Sequence, residues 1–95
     1  MPTFHIAHIR EQGVDLIIVP LDAAFGNRTS TSQRETTDAL QRAAVSAGLA
    51  GTVVPVWPVS GGGMRFLAPH GFHPFFRSID LGWVMANINR ELICS

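Results

Sequence analysis

The run Val14–Val19, VDLIIV, places apolar side chains on both faces of an extended chain, with Asp15 as the exception. Successive strand residues point to opposite faces. A strand written this way therefore belongs inside a sheet, with cover at least partly on both sides. Pro20 ends it, because proline cannot continue a hydrogen-bonded ladder. The rest of the chain must be arranged around that strand.

Upstream, Thr3–Ile9 alternates Phe4, Ile6 and His8 against His5, Ala7 and Ile9, and reads as a strand. Glu11-Gln12-Gly13 supplies the turn, with glycine where a positive φ is needed. Downstream, Leu21–Thr31 reads as a loop. Ser32-Gln33-Arg34-Glu35 then matches the capping box of a helix that runs to about Ala47, with Gly48 as its stop. The helix carries a narrow stripe of Leu40, Ala43, Ala44 and Ala47, suited to close packing on a sheet.

Thr52–Val59 (TVVPVWPV) is β-branched but contains Pro55 and Pro58, which predicts an edge strand or a bulged one. Ser60–Gly63 turns the chain into a fourth strand, Met64–Ala68. After a loop at Pro69–His73, Pro74 suits the first position of a helix predicted to reach Leu92. The expected product is one domain over residues 1–95, of the α+β class. It is a two-layer ββαββα fold with a four-stranded, mainly antiparallel sheet and both helices on one face.

Composition narrows the function. Apolar residues make up 46% and charged residues 15%, below the ~25% usual for soluble domains, and the formal net charge is zero. Little charge repulsion keeps such molecules apart, so a homo-oligomer or a bound partner is expected. All seven basic residues are arginines scattered along the chain, without the basic stripe of a nucleic-acid binder. The longest apolar run, Leu16–Leu21, is too short to span a membrane. A lone cysteine, Cys94, and an amino end unlike a signal peptide lead to the expectation of a cytoplasmic protein.

Three places carry candidate chemistry. On a helix over 74–92, Leu81, Met85, Ile88 and Leu92 form a core-facing stripe, while Phe76, Ile79, Trp83 and Ala86 form a second on roughly the opposite side. A helix covering only its own sheet needs one apolar face, so the second predicts a homodimer interface. Two H-x-x-H pairs occur, at His5/His8 and His70/His73. Strand alternation splits the first pair, and Cys94 falls about 30 Å along the predicted helix from His73. What survives is a trio of His8, His70 and His73, an acceptable ligand set for a Zn²⁺ cofactor. The alternative is that His70 and His73 hydrogen-bond backbone in a proline-flanked loop. The third place is the polar loop 22–32, where Asn27, Arg28, Ser30, Thr31 and Ser32 sit at a helix amino end and suit a small acidic ligand such as phosphate or carboxylate. It matches neither the P-loop nor G-x-G-x-x-G.

These features predict an interaction module that self-associates through its carboxy-terminal helix, without catalytic activity. The alternative is a ligand-binding protein or small enzyme using the anion site or the metal site.

Overall fold

Residues 3–93 are described by the structure, a computed structural model. Strands β1 (Thr3–Glu11) and β2 (Val14–Pro20) form the expected hairpin. Its closing pair is Glu11 opposite Val14. Gln12 (φ 52°) and Gly13 (φ 77°) both take the positive φ that a two-residue type I′ turn requires. The segment after β2 is ordered: a 3₁₀ turn at Ala23–Asn27 drops Phe25 into the interior.

Helix α1 (Ser30–Ser46) starts earlier than the S-x-x-E pattern predicts. Thr29 is the cap, its Oγ1 accepting from the Ser32 amide at 3.0 Å. The Ser32 hydroxyl instead accepts from Arg28 Nε at 2.8 Å. Glu35 consequently lies on the exposed side of α1, outside any capping box. Gly48 (φ 77°) ends the helix as expected.

Strand β3 (Thr52–Pro58) runs parallel to β2, and β4 (Met64–Phe66) returns antiparallel to β3. A 3₁₀ turn at His70–Phe72 leads into α2 (His73–Ser78), then α3 (Leu81–Ala86) and a fifth strand, β5 (Arg90–Ile93), antiparallel to β1. The sheet order is β4-β3-β2-β1-β5. The mixed α+β class holds, with β2 and β3 the one parallel neighbour pair among the described strands, but the architecture departs from the expected two-layer fold in three ways.

First, helices cover both faces of the sheet. Ile17, Val19 and Val53 pack with Leu40 and Ala44 of α1, whereas Leu16, Ile18, Val54 and Val56 pack with Phe76 of α2 and Val84 of α3. Adjacent residues of β2 and β3 thus enter opposite cores, which is what continuous apolar strands demand. Placing both helices on one face would have left one of these sets in water.

Second, β3 is interior although it holds two prolines. The Val56 carbonyl accepts from Leu21 at 2.8 Å, so even-numbered residues of β3 turn their peptide groups toward β2, and odd-numbered ones toward β4. Pro58 would need its missing N–H on the β2 side, where β2 has already ended at the Pro20–Val56 pair. Pro55 lies opposite Leu67, just beyond the last residue of β4. Both prolines sit where a neighbouring strand has run out.

Third, the single helix expected over 74–92 is two short helices and a strand. Ser78 Oγ donates to the Phe75 carbonyl at 2.6 Å, Ile79 is extended (φ −114°, ψ 167°), and Asp80 caps α3 by accepting from the Trp83 amide at 2.8 Å. Met85, predicted to face the core, is 55% exposed. Leu92 is buried, but on a strand. Asn89 joins that strand to the sheet with its side chain: its Nδ2 donates to the His8 carbonyl at 2.9 Å, and its Oδ1 accepts from the His8 amide at 2.9 Å.

Candidate functional site along the outer edge of the sheet

The structure separates the histidine trio. His8 lies on the α1 face of β1, the face of Ile6, and its Nε2 bonds the Ala50 carbonyl at 2.8 Å. His73 lies beside β4, with its Nε2 on the Ala68 carbonyl at 3.0 Å and its ring edge-on to Phe66. From β4 to β1 is three strand spacings, about 14 Å at ~4.8 Å each. His70 stays with His73, ring centroids 5.0 Å apart. A ring nitrogen bonded to a carbonyl must carry the proton, which leaves only Nδ1 with a lone pair on His8 and on His73. Among the described residues no three His, Cys, Asp or Glu side chains gather where a metal ion could be held. Cys94 lies outside the described residues.

The predicted anion loop is an internally bonded cap. Arg28 holds Ser32, with its guanidinium 5.7 Å from the Phe25 ring centroid, and Gln33 Nε2 donates to the Phe25 carbonyl at 2.9 Å. Ser30 and Thr31 are exposed in the first turn of α1, and Asn27 faces the groove described below. The predicted self-association stripe divides as well. Phe76 is 1% exposed, inside the core beneath α2, with its ring 5.3 Å from Phe66 and 5.1 Å from Phe75. Ile79 and Trp83 are half-buried against the same core, and Ala86 is exposed. Phe76 therefore packs the fold, and the four residues do not make one outward stripe.

What the sequence did not single out is the edge of β4. The amide of Leu67 donates to the Pro55 carbonyl, and that of Val59 to the Gly63 carbonyl. In an antiparallel ladder the peptide groups of alternate residues point to alternate sides. Gly63, Arg65 and Leu67 hence face β3, and Met64 and Phe66 turn their N–H and C=O groups outward. No described strand lies beyond β4.

That edge is the floor of an open groove of about 880 Å³. One wall comes from the 3₁₀ turn on the α1 side, with Asn27 and with Gln33 of α1, and the other from α2, with His73 and Arg77. Trp57 closes the base on the first side, 5% exposed and edge-on to Phe25 at 5.0 Å. Gly26 passes so close over the indole that a Cβ there would lie 2.6 Å from Trp57 Nε1, so only glycine lets the turn lie down on this ring. His73 occupies the Ala68 carbonyl and thereby limits the free edge to β4 itself. An extended segment laid along Met64–Phe66 would find unpaired backbone groups between two fixed walls, the arrangement that adds a strand to a sheet.

No described helix is long and apolar enough to cross a membrane. No protein-family model matches the chain, and comparison with curated proteins and with solved structures gave no significant similarity.

Proposed function

We propose that this chain is a protein-interaction module, rather than an enzyme, that captures a partner by accepting an extended segment on the β4 edge. The observation that supports the reading is the pair of outward peptide groups at Met64 and Phe66 in the floor of a walled groove. Unpaired edge groups are a ready template for another strand, and natural sheets usually shorten, charge or cover them. Here the strand is short, carries Arg65 at its centre and has Arg77 on the neighbouring wall, which discourages indiscriminate pairing but leaves the floor open. Main-chain hydrogen bonds would supply affinity, and the walls would supply selectivity. A cytoplasmic setting, where the lone Cys94 stays reduced, fits this reading.

The test is titration of the ¹⁵N-labelled protein with an octapeptide of alternating valine and threonine. The Met64 and Phe66 amide resonances should shift, while those of Arg65 and Leu67 hold their ladder positions. A peptide N-methylated at every residue, with no N–H donor on either edge, should not bind. If the methylated peptide binds equally, or neither peptide moves Met64 and Phe66, the proposal fails.

Self-association moves to the opposite edge. In β5 the residues facing outward are Glu91 and Ile93, because Leu92 pairs inward with Phe4, and Ile93 is 61% exposed. Antiparallel pairing of two β5 strands about a twofold axis would continue the sheet between copies. Sedimentation velocity across micromolar concentrations should show a dimer that Ile93→Lys converts to monomer. A monomer throughout refutes this second reading and leaves the first intact.

A further inference from the structure

Resting on the β4-edge reading, we infer that the groove selects an acidic extended segment whose two recognised carboxylates stand an odd number of positions apart. The chain is neutral as a whole, with seven acidic and seven basic residues. The groove is not neutral: its lining holds Arg65, Arg77 and His73 and not one Asp or Glu. The polar remainder, Asn27, Gln33 and Ser60, can bond either charge type but repels neither. A basic segment would meet two guanidiniums with no carboxylate to offset them, and an acidic one would meet complementary charge.

The two arginines lie on opposite faces of the sheet. Arg65 stands directly opposite Trp57, and residues opposite one another in a ladder share a face. Trp57 packs against Phe25, so that face is the one carrying the 3₁₀ turn and α1. Arg77 belongs to α2, which covers the other face through Phe76. Both arginines are exposed, so their guanidiniums can turn to a ligand without leaving a core. A strand added beside β4 sends successive side chains to alternate faces. One carboxylate reaches Arg65 and another Arg77 only when they are an odd number of positions apart. Acids at even spacing fall on one face and engage a single arginine. Charge therefore sets the class of partner, and strand alternation sets its pattern.

The test uses four fluorescein-labelled octapeptides on a valine–threonine background, followed by fluorescence anisotropy at low salt. One carries glutamates at i and i+3, the second glutamates at i and i+2, the third glutamines at i and i+3, and the fourth lysines at i and i+3. Exposed charge pairs of this kind each change affinity by about two- to fivefold. The i,i+3 glutamate peptide should bind about 4- to 25-fold tighter than its glutamine counterpart, and the i,i+2 peptide only about two- to fivefold tighter. Lysines should weaken binding. Arg65→Gln and Arg77→Gln should each remove one factor from the preference for the i,i+3 glutamate peptide over its glutamine counterpart, and raised salt should erase that preference. Equal binding of the two glutamate peptides overturns the spacing rule, and equal binding of glutamate and glutamine peptides overturns the acidic partner. Either result leaves edge capture standing, since the glutamine peptide still binds. Failure of all four peptides removes the edge reading itself, and this inference with it.

Discussion

Replacing Asn89 by alanine tests how the fifth strand is held. Asn89 is exposed, and a surface substitution away from any special contact usually changes stability by less than about 0.5 kcal/mol. Here the side-chain amide does what a backbone unit would do. It exchanges two 2.9 Å hydrogen bonds with the His8 peptide group, across 81 positions of sequence. Each such bond contributes about 0.5–1.5 kcal/mol net, and water can reach the vacated groups because His8 is only half-buried. The lower part of the summed range follows, about 1–2 kcal/mol, or a fall in Tm of roughly 4–16 °C for a domain of this size. Asn89→Asp sharpens the comparison. It keeps an acceptor for the His8 amide but turns a carboxylate oxygen toward the His8 carbonyl, so it should be as damaging as alanine or worse. Urea unfolding with an unchanged m-value, combined with hydrogen exchange at the His8 amide, measures both effects. If both variants stay within about 0.5 kcal/mol of the parent and His8 exchange is unaltered, the side chain is not part of the ladder.

Phe76→Ala should cost about 3–5 kcal/mol, as for other buried aromatics, and lower Tm independently of protein concentration. A variant of unchanged Tm but altered sedimentation would instead place Phe76 at an interface. Gly48 and Gly51 both have positive φ (77° and 130°), yet only Gly51 is crowded, with a Cβ there meeting the Asp15 carbonyl oxygen at 2.7 Å. Gly48→Ala should cost about 1–2 kcal/mol for the left-handed backbone alone. Gly51→Ala should cost at least about 1–3 kcal/mol more, because β3 must move off β2. Equal urea midpoints for the two variants would show that the contact at Gly51 is relaxed without cost.

Local features of the chain were legible in its residues. The β1–β2 hairpin follows from alternation plus Gln12-Gly13, and the end of α1 from Gly48. The structure has both. Signals that act within a few residues settle such features, because glycine, proline and caps fix the backbone where they stand. Even the cover on both faces of the sheet was written in VDLIIV and TVVPVW. The expectation of helices on one face overrode that signal, although a strand with no polar side must be packed twice.

Other features depended on partners far away in sequence. Periodicity assigns a stripe only if the helix is continuous, and Asp80 as a cap and Asn89 as a ladder mimic break the 74–92 segment. Phe76 thereby becomes core and Leu92 part of a strand. Whether Asn89 caps, turns or pairs cannot be decided without knowing that β1 lies beside it. The candidate site shows the same limit more strongly. No motif marks Met64–Phe66, since its claim rests on backbone groups that any residue carries, and on the absence of a further strand beyond β4 among the described residues. Residue chemistry determined which segments extend, turn and coil. Tertiary structure alone decided which edge was left open, because an open edge is a relation between strands and not a property of any residue in them.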